Sequence, residues 1–343
     1  MMEIFSKIEP MASRVATRRR VLTVAAYVMG AACFPFTSSV YASSSYPDKP
    51  IRLVVPFPAG GGSDILARIL AAKMGPMLKQ TVVVENIPGA TGTIGSARVA
   101  RSAPDGYTLL LGVSGTHAIA PAIMPRLGYD PLRDFVPLAR IAYSGNVLVA
   151  NPSFSAQSLP ALIALAKKPG SDIAFGSWGQ GSGGHLAGIS INVAAGIQLR
   201  HVPYKGASPV LTDLMAGTIP IAMSDIATAL PLIKGGKIRA LAVSGSDRSP
   251  ALPGVPTFAE AGIPIKLDIW FALFAPSGVP RPILDKLEQV SQAAIRDPDM
   301  QRKIGEYGLL STPITTGAFA EQIQSDTRAW ASLVKATGAK FDQ

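Results

Sequence analysis

The turn after the first apolar run carries the residue types of an anion-binding site. Residues 51–55 are rich in β-branched and apolar side chains, which predicts a buried strand, and Ser63 and Asp64 are of the types that cap a helix start. Glycine lets a ligand approach the main chain closely, and the unpaired amides of a helix start favour a negative group. This first turn (residues 58–64) therefore predicts a cradle for a carboxylate or phosphate. A capped strand-to-helix turn without a ligand explains the same residues equally well.

Four later turns have a similar composition, and each follows a short apolar run and precedes a helical pattern. They are residues 114–117, 177–185, 204–208 and 224–225, named here the second to fifth turns. In an open α/β sheet, ligands bind in the crevice beyond the carboxyl ends of the strands. The five turns therefore predict one crevice lined by main-chain amides and hydroxyls. Helix capping alone explains the Ser and Asp of any single turn, but the glycines of the first and third turns cost backbone entropy and favour contact with a ligand.

The residues predicted to line the crevice come from all five turns. They are Ala59, Gly60, Gly61, Gly62 and Asp64 in the first turn, Ser114, Thr116 and His117 in the second, Ser177, Ser182 and His185 in the third, Tyr204, Lys205 and Gly206 in the fourth, and Asp225 in the fifth. The histidines are expected to be neutral hydrogen-bonding residues of the wall. The two aspartates could pair as acid and base, but we expect them to cap helices or to accept hydrogen bonds from a ligand.

The elements that must position these turns alternate between strand and helix, which predicts an α/β core. The length of the chain indicates two domains. We predict a boundary near Ser144 and a return near Ile265, which gives one domain of residues 43–143 plus 265–343 and a second of residues 144–264. A final amphipathic helix is expected over residues 316–336, packed through one apolar side.

The first 42 residues have the pattern of an export signal. Three arginines at 18–20 precede an apolar stretch at 21–32, and a small-x-small cleavage pattern ends at Ala42. The apolar stretch is too short to anchor a helix across a bilayer. Cleavage after Ala42 would remove Cys33, the only cysteine of the chain, so the exported protein would contain no disulfide and no thiol nucleophile. The pattern predicts a periplasmic location, and it leaves the export route and lipid attachment at Cys33 open.

Signatures of catalysis, metal binding and nucleotide binding are missing from the sequence. No glycine-x-serine-x-glycine elbow occurs, and the three histidines lack the close spacing of metal ligands. The glycines at 179–184 match the dinucleotide-binding spacing, but no acidic residue follows about twenty residues later to hold a ribose. The net charge of +10 is spread along the chain rather than interleaved with aromatics, which disfavours nucleic acid as a partner. We expect no metal, no cofactor and no catalytic activity; an exported hydrolase is the less favoured alternative.

Several ordered motifs carry a resemblance to a known family. They are YPDKPIRLVVPFPAGGGSD, LGYDPLRDFVPLA, GSGGHLAG followed by HVPYKGASPVLTDLMAG, IKGGKIRALAVSGSDRSPALPGVPTFAEAG, and WFALFAPSGVP. On these motifs the chain resembles the periplasmic substrate-binding proteins of tripartite tricarboxylate transporters, also called Bug proteins. The resemblance implies a two-domain Venus-flytrap fold with two crossings between domains, closing around a small organic acid. It also implies delivery of that acid to a membrane permease.

The resemblance also implies how the ligand is held. In that family the first loop, here residues 57–64 and so including Phe57, holds a ligand carboxylate chiefly through main-chain groups and bridging waters. The sequence departs from the common pattern around Asp225 and by the ring of Trp178, which could stack on an aromatic acid or pack as a lid residue. The expected function is capture of a mono- or dicarboxylate for uptake. A sensor subunit with the same fold is the alternative.

Overall fold

The computed structural model describes residues 46–124, 126–265 and 267–337. The predicted export signal lies outside the described residues. The strands are β1 (Ile51–Val55), β2 (Val82–Asn86), β3 (Thr108–Val113), β4 (Phe135–Ala150), β5 (Ala174–Ser177), β6 (Arg200–Pro203), β7 (Ile221–Asp225), β8 (Arg239–Val243) and β9 (Asp268–Pro276). The helices are α1 (Gly62–Leu78), α2 (Thr93–Ala100), α3 (Ala120–Ile123), α4 (Leu159–Ala166), α5 (Gly183–Ala195), α6 (Ala207–Met215), α7 (Ile226–Lys234), α8 (Arg281–Arg296), α9 (Pro298–Glu306) and α10 (Thr316–Thr337).

The described strands form one mixed sheet in the order β2-β1-β3-β9-β4-β7-β5-β6, and β8 pairs with β4 outside this path. In the first half of the sheet β1 lies parallel to β2 and β3, and β9 runs antiparallel to β3. In the second half β5 lies parallel to β6 and β7. Parallel strands end at the same edge of a sheet, so the turns that follow them are brought together.

Strand β4 passes from one half of the sheet to the other without interruption. Its residues from Phe135 to Gly145 pair with β9, and those from Asn146 to Ala150 pair with β7. Its end also pairs with β8. The domain boundary predicted near Ser144 falls inside this strand, and the domain limits stay a prediction.

Each half of the sheet has its own buried core. In the first half, α1 and α8 cover side chains such as Leu53 and Leu273, both fully buried. In the second half, α5 covers Leu148 and Met223 on one face, and α6 and α7 cover Val147 and Ala222 on the other. Each large apolar side chain that is fully buried contributes about 1.5–3 kcal/mol to stability, so each half has a core that stabilises the strands and helices that carry the turns.

Most predicted elements are present, with two differences near the turns. The strand predicted over residues 51–55 and the final helix are observed. Ser63 and Asp64 are not the N-cap of α1, because the helix begins at Gly62 and its N-cap is Gly61. Asp64, three residues after the N-cap, instead accepts a hydrogen bond from the amide of Gly60. The sequence therefore indicated the helix start correctly but assigned the cap to the wrong residues. The second turn continues into a π-helical turn, Gly115–Ile119. Within the described residues, no helix is both long and apolar enough to cross a membrane.

Candidate functional site

A cavity lies where the two halves of the sheet face each other across the turns. Its empty space, counted out to the open mouth, is about 590 Å³. Its wall consists of Phe57, Pro58, Gly61, Gly62, Ser63, Val113, Ser114, Gly115, Trp178, Gly183, Ala207, Ser208, Asp225, Ile269, Trp270 and Phe271. The wall therefore takes residues from all five turns and from β9.

Four helices and one π-helical turn begin at this cavity. Gly62, Gly183 and Ala207 are the first residues of α1, α5 and α6, and each lines the wall. Gly115 opens the π-helical turn, and Asp225 is the N-cap of α7. The first amides of a helix have no partner within the helix, and the macrodipole adds positive potential there. The starts of α1, α5 and α6 thus favour an anion, whereas the start of α7 already has the carboxylate of Asp225 as its cap.

The first turn is held by the carboxylate of Asp64, which is 4% exposed. Its Oδ2 accepts hydrogen bonds from the amide of Gly60 and Nε of Arg68, both at 3.0 Å. Its Oδ1 accepts from Arg68 at 2.9 Å and from Nδ2 of Asn86 at 3.1 Å, and Asn86 also donates to the carbonyl of Phe57. Burial alone would raise the pKa of Asp64, but the Arg68, Gly60 and Asn86 hydrogen bonds lower it. Asp64 therefore fixes the shape of the turn, because both of its carboxylate oxygens already accept hydrogen bonds from Gly60, Arg68 and Asn86.

Asp225 lines the cavity from the second half. Its Oδ1 accepts a hydrogen bond from the amide of Thr228 at 2.9 Å, and its Oδ2 accepts from the Thr228 hydroxyl at 2.8 Å. Burial raises the pKa of this carboxyl group. Asp225 also lies tightly against the start of α1, because a Cβ added to Gly62 would be 2.3 Å from Oδ1 of Asp225. Glycine at position 62 is what permits this close approach.

The third turn is held by neutral groups. Nε2 of His201 is 2.7 Å from the hydroxyl of Ser177, and Nδ1 of His185 accepts from the amide of Gly181 at 3.0 Å. The two imidazoles stack with their centroids 3.7 Å apart. Burial lowers the pKa of His185 to about 4 and that of His201 to about 3, the latter with a contribution from His185. Trp178 projects from this turn into the cavity wall.

Contacts between the two halves close the sides of the cavity. The hydroxyl of Thr91 donates to the carbonyl of Gln180 at 3.0 Å. Gly206 lies against the ring of Pro58, since a Cβ added there would be 3.0 Å from that ring. Thr91 itself has a φ of 53°, an uncommon backbone conformation for a residue other than glycine.

Some predicted site residues lie in the cavity wall and others lie outside it. Those in the wall are Phe57, Gly61, Gly62, Ser114, Trp178 and Asp225. Those outside the wall are Ala59, Gly60, Asp64, Thr116, His117, Ser177, Ser182, His185, Tyr204, Lys205 and Gly206. Several of the latter hold the turns: the Ser182 hydroxyl accepts from the amide of His185. His117 is fully buried, and burial lowers its pKa to about 3.

Residues of β9 form a part of the wall that the sequence patterns did not indicate. Ile269, Trp270 and Phe271 line the cavity, although they belong to an apolar strand without a glycine-rich turn. The indole of Trp270 donates to Asp326 of α10 at 2.8 Å. The related sequence prediction was the return crossing near Ile265. A strand that crosses between the two halves passes beside the cavity, so its residues can line the wall.

The arrangement offers little for catalysis or metal binding. Ser177 and His201 form a hydroxyl–imidazole pair, but Ser177 is fully buried and lies outside the cavity wall. No cluster of three or more His, Cys, Asp or Glu side chains that could hold a metal ion occurs within residues 46–124, 126–265 and 267–337. The chemistry that the cavity does offer is that of main-chain amides at helix starts.

Sequence comparison identifies relatives over most of the chain. The family model described as Tripartite tricarboxylate transporter family receptor matches residues 66–339. Protein BugT of Bordetella pertussis is 37% identical over 304 residues, which cover 87% of this chain and 92% of BugT.

Solved structures match at similar coverage. The periplasmic binding protein BugD has a TM-score of 0.82 and 35% identity, over 86% of this chain and 99% of BugD. Rpa4515 of R. palustris, solved with adipate, has a TM-score of 0.83 and 33% identity, over 85% of this chain and 98% of that protein. MatC from Rhodopseudomonas palustris, solved with bound malate, has a TM-score of 0.80 and 32% identity, over 84% of this chain and 100% of MatC.

Proposed function

We propose that this chain, which belongs to the tripartite tricarboxylate transporter receptor family, captures a small carboxylate-bearing metabolite in the cavity for uptake by a membrane permease. The chain has the α/β fold of periplasmic binding proteins, and it is a solute-binding protein like the other members of its family. The adipate and malate bound to two structural relatives support a carboxylate as the ligand.

The observation that carries the proposal is the set of helix starts around the cavity. Within the described part of the chain, the amides of Gly62 and Ser63 donate to no main-chain or side-chain acceptor. They belong to the first turn of α1, where the macrodipole favours a negative group. A ligand carboxylate at this end would receive these hydrogen bonds. The rings of Phe57 and Trp178, which are also in the wall, would cover the apolar part of the ligand, and Trp178 could stack on an aromatic acid.

Several further statements belong to the same proposal. Residues 43–143 with 265–343, and residues 144–264, act as domains that close on the ligand about the crossing strands. The passage of β4 between the two halves supports this division. The ligand is released unchanged, and no cofactor takes part. The protein works in the periplasm after cleavage behind Ala42, and its partner is a permease with one large and one small membrane subunit.

Titration calorimetry of the exported form against mono- and dicarboxylic acids tests the proposal. Each acid is paired with its neutral amide or methyl ester, which keeps the shape and removes the charge. We expect at least one acid to bind, and its neutral analogue to bind at least about a hundredfold more weakly. Affinity should persist in moderate salt, since buried amides are screened less than exposed charges. Equal binding of acid and ester, or binding of no acid at all, would contradict the proposal.

A further inference from the structure

The indole of Trp178 lies against the start of α5. A Cβ added to Gly184 would be 2.5 Å from Cζ3 of this ring, and one added to Gly183 would be 3.6 Å from Cζ2. Glycine at position 184 permits this close approach. The ring also packs against the core of the second half. The outer edge of the indole is therefore held in place along the first peptide unit of α5.

The peptide unit beside the ring belongs to the part of α5 that still has free donors. The hydroxyl of Ser182 caps the helix by accepting from the amide of His185 at 3.2 Å. Within the described part of the chain, the amides of Gly183 and Gly184 donate to no main-chain or side-chain acceptor. At these amides the positive end of the macrodipole would meet a ligand carboxylate. The ring of Trp178 occupies the space next to them.

The starts of α1 and α6 meet at another part of the wall. A Cβ added to Gly60, in the first turn, would be 3.7 Å from Oγ of Ser208, the second residue of α6. These two helix starts can thus share one carboxylate. The start of α5 lies instead against β9, since a Cβ added to Gly183 would be 3.4 Å from the side chain of Ile269. Because Asp225 already caps α7, the start of α5 is the remaining helix start for a second carboxylate.

The wall offers no cationic side chain that could hold a second carboxylate. Among the described wall residues, the only charged side chain is that of Asp225, which is an acid. Phe57, Trp270 and Phe271 contribute apolar rings, and the indole N–H of Trp270 already donates to Asp326. An ionised carboxylate that is buried without donors is strongly destabilised. Beyond the starts of α1 and α6, the wall therefore suits an apolar group.

We propose that Trp178 is a specificity-determining residue that excludes a second carboxylate from the start of α5. The cavity then selects a monocarboxylate with an apolar body over the corresponding dicarboxylate. This inference rests on the proposed function, in which the carboxylate of the ligand lies at the start of α1. Specificity can arise from blocking the wrong ligand as well as from contacts with the right one, and this ring does both, because it also covers the apolar part of the ligand.

Titration calorimetry with matched pairs of acids tests the exclusion. The probes are hexanoate with adipate, and 4-methylbenzoate with terephthalate. Within each pair, a methyl group of the monocarboxylate is replaced by a second carboxylate. We expect the wild-type protein to bind the better monocarboxylate at least about tenfold more tightly than its matched dicarboxylate, because the second carboxylate loses its hydration without gaining donors.

Trp178→Ala should reverse this preference. The amides of Gly183 and Gly184 become open to the cavity, so affinity for the dicarboxylate should rise by at least about tenfold. Affinity for the monocarboxylate should fall, since its apolar part loses the contact with the ring. Damage to the fold would lower both affinities, so the rise for the dicarboxylate separates a direct role from a structural one. Trp178→Phe, which has a smaller ring, should show the same change to a lesser extent and serves if the alanine variant does not fold.

Phe57→Leu provides the matched control, because Phe57 is an aromatic wall residue that precedes α1 rather than α5. It should weaken both acids of a pair alike and leave their affinity ratio within about threefold of the wild-type ratio. A wild-type protein that binds the dicarboxylate as tightly as the monocarboxylate, or an unchanged ratio in Trp178→Ala, would overturn the exclusion and leave the carboxylate function standing. Binding of no acid would overturn both.

Discussion

The first and third turns line the same cavity, but they are held by different kinds of interaction. The first is fixed by an ionised carboxylate, Asp64, which bonds to a guanidinium, an amide side chain and a main-chain N–H. The third is fixed by two stacked imidazoles and the hydroxyls of Ser177 and Ser182. The shape of the first turn therefore depends on an ionised side chain, whereas the shape of the third turn depends on neutral side chains.

The two kinds of interaction allow the protein to hold a small anion while both turns keep their shape. A negative group near the first turn is compatible with Asp64 because Arg68 and the amides around it already offset its charge. At the third turn, neutral histidines leave the start of α5 as the source of positive potential. We therefore expect different substitutions and pH values to disrupt the two turns, and four experiments distinguish their contributions.

The largest effect is expected from Asp64→Ala. Loss of the carboxylate frees Gly60, Arg68 and Asn86 together, so the first turn should lose its shape. We expect affinity for the carboxylate to fall by more than about a hundredfold and the free energy of unfolding to fall by about 2 kcal/mol. Calorimetry and chemical denaturation measure the two quantities. Arg68→Met is the control: it leaves the bonds to Gly60 and Asn86 and should cost much less. Affinity of Asp64→Ala within threefold of wild type would show that the turn does not depend on this charge.

The next effect concerns the contact between the two walls. In Gly62→Ala the new methyl group would be 2.3 Å from Oδ1 of Asp225, so the start of α1 cannot approach the second half closely. We expect affinity to fall by at least about tenfold and the melting temperature to fall as well, since the methyl group displaces a buried carboxylate that caps α7. Gly305→Ala in α9, where an added Cβ meets no atom within 4 Å, is the control. Unchanged affinity in Gly62→Ala would mean that ligand binding does not require the close contact between Gly62 and Asp225.

Acid should weaken the third turn before the first. His201 has its pKa lowered from 6.5 to about 3 and stays neutral in the folded state, whereas the unfolded chain binds a proton below pH 6.5. Its contribution to stability is complete above pH 6.5 and declines as the pH falls toward about 3. The contribution of Asp64, whose pKa is lowered from 3.8, is lost only below that value.

Denaturation curves of the ligand-free protein between pH 7 and pH 5 measure this difference. In His201→Gln the loss of stability over that range should be smaller than in the wild type by about 1 kcal/mol, after allowance for the partial exposure of the ring. Asp64→Asn should change the slope only below pH 4. If the free energy of unfolding falls equally with pH in the wild type and in His201→Gln, then His201 is not held neutral in the folded protein.

The smallest effect is expected from Thr91→Val. It removes the one hydroxyl bond from Thr91 to the carbonyl of Gln180 and keeps the side-chain shape. We expect the dissociation constant to rise by about threefold, mainly through faster release measured by stopped flow, because a single exposed hydrogen bond contributes little. Thr327→Val removes a comparable hydroxyl bond within α10 and should leave release unchanged. A slower release in Thr91→Val would contradict a role of this contact in closure.

The comparison of the turns also indicates how far sequence reasoning reaches. Local signals predicted the strand–turn–helix junctions, because apolar runs, glycines and capping residues act over a few positions. They did not separate residues that face the cavity from those that hold the turn: Asp64 and Gly61 lie in one turn, yet only Gly61 is in the wall. Which way a side chain points depends on the helix start, which lay at Gly62.

Long-range pairing explains what the patterns left out. Ile269 and Trp270 lie on a crossing strand, whose apolar run resembles those of ordinary core strands. Their place in the cavity wall follows from the register of β9 against β3 and β4, which a single sequence does not specify. Asp225 was predicted from its own turn, but its contact with Gly62 joins positions on opposite halves of the sheet.

Two of the three tryptophans of the chain, Trp178 and Trp270, lie in the cavity wall. The third, Trp330, is packed in α10 and is 5% exposed. The protein thus contains its own optical reporter, since the emission of an indole shifts with the polarity around it and a bound acid replaces water beside two of the rings. With Trp330→Phe as a background-free version, ligand capture can be followed in real time without attaching a dye.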